Sequence, residues 1–460
     1  MRLRQKGYRD ITVVERSAGP GGKAVTLEVE NNEGVKTAPL YLGPILGTWG
    51  GYITVTKLLQ QYNVPISNVT YNSNSGPQWK PGESVAVASN FVNHQTGTAL
   101  PLATLQLDPT AIFAAATKYA MLYTQQVKPY LVPGYTKGLP AELRQSYGAW
   151  IRANGLDALL PALYVMITAY GYGSLEVTPA FYAMTFVDPV IINVALGLGG
   201  SYLADFQQLW TSVAADLSSS GVKFVYNADI SRVRQSSSAS KKSTIRYTTP
   251  AAPGKHSSHP KVARCDRIIA AFPHFKKNLA AFDLDAKERA VFDLVRQVQY
   301  YSGVINMPNS TKGRFVRLLK LTGNAAVPFS LAEPPGDGYP SVHVVWPFTP
   351  VAQFWTWVAG QTELPMETIA ANALATMSKY NRPVGSAVTD AVPLTKADLK
   401  RLDKWDYFAL FDMSTLTETI FSQLEALQGR RGTFYTSSLR SFESQEAVVN
   451  SAYDIVDRYF

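Results

Sequence analysis

The chain has 460 residues, 46% of them hydrophobic, and a formal net charge of +9, so it can bury a large core and is expected to form two domains. Lys and Arg are dispersed, with no basic run longer than a pair such as Lys241-Lys242, which argues against nucleic-acid binding. The single cysteine, Cys265, excludes an intrachain disulfide framework and every multi-cysteine metal site, and no stretch reaches the roughly 18 to 20 uncharged apolar residues of a membrane span.

In chain order, the β-branched run Ile11-Thr12-Val13-Val14 predicts a strand that ends in Glu15-Arg16 and is followed by the turn Gly19-Pro20-Gly21-Gly22-Lys23. An acid at the end of such a strand is where a dinucleotide-binding unit holds the adenosine ribose. The first strand of that unit and its Gly-rich turn belong about 20 residues before the acid. They would precede Met1, so the expectation is a nucleotide fold whose first βα unit is absent.

Leu42-Gly43-Pro44 punctuates the next segment, and residues 95–192 read as mostly helical, beginning with an Ala-rich run from Ile112 to Met121. Ala158 to Tyr170 reads as a buried helix, followed by the aromatic and glycine-rich Tyr170-Gly171-Tyr172-Gly173 and Pro179-Ala180-Phe181-Tyr182. Residues 193–275 return to a βαβ-like pattern. Gly199-Gly200-Ser201-Tyr202-Leu203 opens an apolar-periodic stretch through Phe206, Trp210, Val213 and Leu217, and Gly221 to Ile230 reads as turn and strand. A Ser, Lys, Thr, Pro and Gly insertion from Ser236 to Pro260 reads as an exposed, mobile loop. Residues 265–273 read as a strand ended by Pro273.

From 276 to 420 come helical segments and β-like runs such as Ser341 to Trp346, then Trp405-Asp406-Tyr407-Phe408 and the turn Leu427-Gln428-Gly429. The sequence closes on Gly432-Thr433-Phe434-Tyr435-Thr436-Ser437-Ser438 and on Ser444-Gln445-Glu446, which opens a last helix. A helix N-terminus offers free N–H groups and a positive dipole end to an anionic ligand.

These segments together resemble the flavin-dependent amine oxidase and phytoene desaturase superfamily. The resemblance implies an α/β fold in which a Rossmann-like FAD-binding domain, residues 1–60, 193–275 and 421–460, is interleaved with a mixed α+β substrate domain, residues 61–192 and 276–420. It implies that Glu15 holds the ribose, that Arg16, Gly21, Gly22, Lys23 and Gly43 belong to the cofactor site, and that Ile230 meets the adenine through its backbone. The Gln445 N–H would meet a flavin carbonyl. Where the family usually has Ala-Gly-Asp/Glu, this chain has Thr436-Ser437-Ser438, so Ser437 and Ser438 stand in for the missing acid. The aromatic segments are similar to those of polyenoic fatty acid isomerases and fungal oxidocyclases, although Ala409-Leu410 stands where relatives carry Pro-His.

The implied activity is FAD-dependent oxidation of a small apolar substrate by hydride transfer to flavin, the protein supplying orientation and a water-poor cavity. Tyr172 and Tyr407 are candidates for the substrate wall, although in a chain that is 12% aromatic a core position is the commoner role for any single tyrosine. Two other readings stay open: a flavin-free relative acting as a binding or scaffold protein, and a nicotinamide-binding reductase, because an acid after Val-Val suits any adenosine ribose.

Overall fold

The computed structural model describes residues 1–29, 39–70, 80–100, 108–168, 170–236, 241–250, 259–321, 332–333, 336–349, 351–358 and 363–460. The elements that place the site are, in chain order, β1 (Thr12–Val14), α1 (Ile53–Gln61), α2 (Phe206–Ser219), β2 (Lys223–Val225), β3 (Ile268–Ala270), β4 (Arg296–Asn306), β5 (Arg314–Leu321), β6 (Asp337–Val345), β7 (Val351–Val358), α3 (Met366–Ser378), β8 (Leu399–Leu410), β9 (Thr433–Tyr435) and α4 (Gln445–Tyr459).

Two short parallel pairs carry the nucleotide-fold strands. β1 pairs with β2, Val13 opposite Phe224, and β3 pairs with β9, Ile269 opposite Phe434. Parallel partners require crossover connections, and α2 supplies one immediately before β2. Its first turn is capped by Asp205, whose carboxylate accepts from the Gln208 N–H, and it buries Phe206, Leu209, Val213 and Ala214 along one stripe. That spacing is the helical period read in the sequence.

The central layer is a mixed sheet in which β5, β6, β7, β4 and β8 lie side by side, with the strand Ala88–Asn93 joining β5 in parallel. Alternation along the strands sends residues to opposite faces. Tyr300, Val304, Phe315, Leu319, Val342, Val344, Trp355 and Trp357 enter the largest core cluster. Ile305, Val316, Leu318, Val345 and Phe354 pack on the other face against Ala373 and Met377 of α3.

Three expectations change. Part of the Ser236 to Pro260 insertion is a strand: Ser243–Thr248 lies between Asp229–Arg234 and Lys261–Cys265 in an antiparallel sheet. Its Thr-Ile-Arg-Tyr alternation outweighs the loop-like composition around it. The sub-segments 237–240 and 251–258 of that insertion lie outside the described residues. Ser201–Ala204 is a buried strand pairing with both Leu46–Thr48 and Ile66–Thr70, so the helix starts only after Asp205. The stretch from Ala158 is broken into a 3₁₀ turn (Asp157–Leu159), one α-turn (Leu160–Leu163) and a π-turn (Tyr164–Thr168), as Pro161 near its start disfavours one continuous helix. Among the described residues no helix is long and apolar enough to cross a membrane.

Candidate flavin-type nucleotide site

Sequence places the first candidate, Glu15, at the carboxyl end of β1. Its backbone continues the ladder, donating to the Val225 carbonyl at 2.8 Å and accepting from the Ala228 N–H at 2.9 Å. Its carboxylate accepts from the Ser17 N–H at 2.6 Å through one oxygen, which leaves the other to accept from a hydroxyl-bearing ligand. In open α/β sheets ligands bind outside the carboxyl ends of the strands. Ile230 follows two residues after Ala228, opposite Tyr247 at a register irregularity. Arg16 is exposed, and its charge reaches Asp406, where burial is opposed by Lys277, Asn278 and then Arg16 to hold the carboxyl below its ordinary range.

The turn after β1 needs its glycines. Gly21 and Gly22 have φ of 114° and 58°, in the left-handed half of conformational space that side chains disfavour. Gly43 has another reason: a Cβ there would lie 2.0 Å from the Lys23 carbonyl oxygen. Gly43 therefore supports the glycine turn by letting two backbones approach. It positions Lys23, whose ammonium pairs with Glu443 at 2.9 Å.

At the carboxyl end of β9 the chain turns through Ser437 and Ser438, both buried. The two hydroxyls differ. Ser437 Oγ accepts from the Leu439 N–H at 3.3 Å and lies 3.2 Å from His274 Nδ1, while His274 Nε2 lies 3.1 Å from the Ala270 carbonyl. Burial pushes the His274 pKa down to about 4, so the ring is neutral, donates through Nε2 to the carbonyl and accepts from Ser437 through Nδ1. Ser437 is thus fully engaged by the protein. Ser438 Oγ is buried without a hydrogen-bond partner.

Gln445 begins α4, behind the N-cap Ser444, whose hydroxyl accepts from the Ala447 N–H at 3.2 Å. The Gln445 side chain accepts from the Trp210 indole at 2.8 Å, and a Cβ on Gly21 would lie 3.8 Å from that same indole. The glycine turn, α2 and the start of α4 therefore meet. Glu446 locks the helix from its other side, its two oxygens accepting from the Thr54 and Val55 N–H groups at 2.8 Å in the first turn of α1, a carboxylate at the positive end of that helix.

Sequence reasoning missed the residue that ties these pieces together. Glu443 accepts from Lys23 through Oε1 and from the Phe408 N–H at 2.9 Å through Oε2, and its carbonyl accepts from the Tyr172 hydroxyl at 3.1 Å. It joins the glycine turn, the end of β8 and the aromatic segment. Its only signal in the sequence is an acid two positions from the helix N-terminus. Phe408 is fully buried and has φ of 47°, a left-handed conformation that a non-glycine residue keeps only when its surroundings hold it.

Tyr172 and Tyr407 are brought together, their rings stacked 5.6 Å apart, with Tyr300 stacked on Tyr407 at 4.2 Å and Phe442 against Tyr172 at 4.8 Å. The Tyr407 hydroxyl donates to the Tyr170 carbonyl at 3.2 Å. Burial first, then neighbouring tyrosines and Glu443, raises both phenol pKa values, so the cluster is neutral and its hydroxyls are committed to backbone carbonyls. Both side chains are buried at 7% and 8% exposure.

No family model matches the chain. It is 24% identical over 490 aligned positions to an uncharacterized protein of Acanthamoeba polyphaga mimivirus, covering 100% of this chain and 90% of that protein. It is 24% identical over 325 positions to an FAD-dependent oxidoreductase of Colletotrichum higginsianum, covering 67% of this chain and 61% of that one. Among solved structures, the CLA-producing fatty acid isomerase from P. acnes superposes with a TM-score of 0.74 at 20% identity, covering 100% of this chain and 95% of the isomerase. A cofactor-binding redesign of putrescine oxidase superposes with a TM-score of 0.59 at 14% identity, covering 99% and 94%. The structural likenesses extend over nearly the whole chain, and with the parallel strands and their glycine turn they show that it has the fold of the flavin amine oxidase superfamily its motifs resemble.

Proposed function

We propose that the chain is an FAD-dependent oxidoreductase acting on an apolar substrate. Residues 1–60, 193–275 and 421–460 hold the cofactor in this reading, and residues 61–192 and 276–420 hold the substrate. The observation that carries it is the packing of the glycine turn after β1 against Trp210, whose indole donates to Gln445 at the start of α4, with a Glu15 oxygen left to accept at the carboxyl end of β1; a buried Ser438 hydroxyl without a partner follows the carboxyl end of β9.

These groups fit an adenine dinucleotide. Glu15 accepts from ribose hydroxyls, Gly21 and Gly22 allow a diphosphate close to the backbone, and the Gln445 N–H faces a ligand at the positive end of α4. Ser438 donates where an acid is usual, while Ser437 acts through His274 and Gly43 acts through Lys23. Because Lys23 already pairs with Glu443, its charge supports the diphosphate only in part. A bound flavin supplies the acceptor for a hydride from a C–H bond beside nitrogen or a double bond. The chain's own work is to orient the substrate against the Tyr172, Tyr407 and Tyr300 rings and to exclude water from it. The FAD-dependent name of the fungal relative and the fatty acid acted on by the isomerase agree with that assignment.

The test is spectroscopic. The purified protein should carry a yellow flavin band that bleaches anaerobically with lipophilic polyenes or prenylated indoles and not with small primary amines. Rapid bleaching by a primary amine alone would assign it to the ordinary amine oxidases. A colourless protein that takes up no added FAD would favour the flavin-free binding reading.

A further inference from the structure

A cavity of about 340 Å³ lies at the end of the central sheet and is lined by Arg314 of β5, His343 of β6 and Arg382 beyond α3, with Val92, Val316 and Val384 among its apolar walls. Val92, Val316 and Tyr380, which also line it, belong to the core on the α3 side of the sheet. The aromatic cluster of Tyr172 and Tyr407 belongs to the core on the opposite side. The cavity is thus separate from the nucleotide site and independent of the proposed cofactor.

Its polar groups are unusual for a wall that no acid shares. Arg314 Nε and His343 Nδ1 are buried without a hydrogen-bond partner, and His343 is 1% exposed. Arg314 makes no ion pair among the described residues. Arg382 donates to the carbonyls of Lys379, Ser386 and Gly97, so each of its nitrogens is engaged, while it makes no ion pair among the described residues. Two guanidiniums facing one cavity with no carboxylate is an arrangement that desolvation penalises. Burial, and then the charge of Arg382, lowers the Arg314 pKa, and burial followed by Arg314 pushes His343 down to about 3. A neutral imidazole beside two cations offers a neutral donor in a positive field.

We propose that this cavity binds a small amphiphilic monoanion, a short-chain carboxylate whose head lies against Arg314 and His343 and whose tail lies along Val92, Val316 and Val384. Arg314 supplies the free fork of donors suited to a carboxylate, and Arg382 adds charge. The volume exceeds that of a bare oxyanion many times over, given that one water occupies about 30 Å³. The apolar walls disfavour a doubly charged ligand, which would lose more hydration than two arginines return.

The experiment titrates hexanoate into the full chain at low salt and follows calorimetry and the thermal midpoint, with inorganic phosphate and hexanol as parallel arms. Hexanoate should bind saturably and raise the midpoint, and neither control should match it. Arg314→Met should weaken hexanoate by roughly tenfold to a hundredfold, the loss of a charge-assisted contact. It should also raise the midpoint of the ligand-free protein, because an uncompensated charge is removed; Arg314→Lys should keep a weakened response. Phosphate binding as well as hexanoate, hexanol matching it, or hexanoate binding undiminished in Arg314→Met would each overturn the proposal, the last by placing the ligand among the aromatic rings across the sheet. The wild-type arms decide the ligand class even if a variant folds poorly.

Discussion

Replacing Glu443 with Ala removes the acceptor of the Phe408 N–H and the partner of Lys23 together. Phe408 is fully buried, so its stranded N–H costs about 1–3 kcal/mol. The Lys23 pair, with side chains 24% and 10% exposed, adds no more than about 1 kcal/mol after solvent screening. The expected total is therefore about 1–4 kcal/mol. Glu443→Gln keeps an acceptor for Phe408 and gives up only the charge, so about 1 kcal/mol is lost, and Lys23→Met should cost less than about 1 kcal/mol. The series is read as shifts in the urea midpoint with an unchanged slope. Glu443→Ala within about 0.5 kcal/mol of wild type, or Lys23→Met as costly as Glu443→Ala, would show that the Phe408 contact does not hold the site together.

Other outcomes rest on the same geometry. Arg440 is 4% exposed and bonds Glu425 at 2.9 Å and Asp454, while Arg458 also pairs with both carboxylates, so Arg440→Met should destabilise by about 1–3 kcal/mol in thermal unfolding, less than the loss of an only partner would cost. His274 and His343 are held neutral with pKa values of about 4 and 3 against 6.5; the unfolded chain binds the extra protons, so stability is full above pH 6.5 and falls below it, by about 2 kcal/mol per histidine at about pH 5, and His343→Gln should flatten that slope in unfolding curves taken across pH. Gly43→Ala should cost more than about 1 kcal/mol and loosen the glycine turn, since its φ is 82° and the new Cβ meets the Lys23 carbonyl. Ser438→Ala should leave stability unchanged or raise it by about 1 kcal/mol while lowering FAD retention measured by absorbance, whereas Ser437→Ala should cost about 1 kcal/mol through His274.

What could be read from the sequence was local. The Thr12–Val14 strand with its acid, the Phe206–Ser219 helix and the left-handed Gly429 turn each announce themselves within a few residues, because periodicity, capping and φ preference are short-range properties. Ser243–Thr248 was obscured where composition and alternation disagreed, and Ser201–Ala204 because a short strand beside a helix carries little period of its own. Glu443, the Arg440 network and the facing of Arg314 by His343 depend on partners far away in the chain, and nothing near them in sequence names those partners. The same holds for the different fates of Ser437 and Ser438: identical neighbours in sequence, one is engaged by His274 from another segment and the other is left alone.

Glu443 also sets an order of events in folding. Its contacts with Lys23 and Tyr172 close loops of 420 and 271 residues, spans whose closure entropy is met only after the intervening segments have collapsed. During synthesis the glycine turn emerges first and must wait, without its partner, until Glu443 leaves the ribosome. A nascent chain stalled before Glu443 would hold every preceding candidate residue and still lack the clasp that joins the glycine turn to the end of β8 and the aromatic segment.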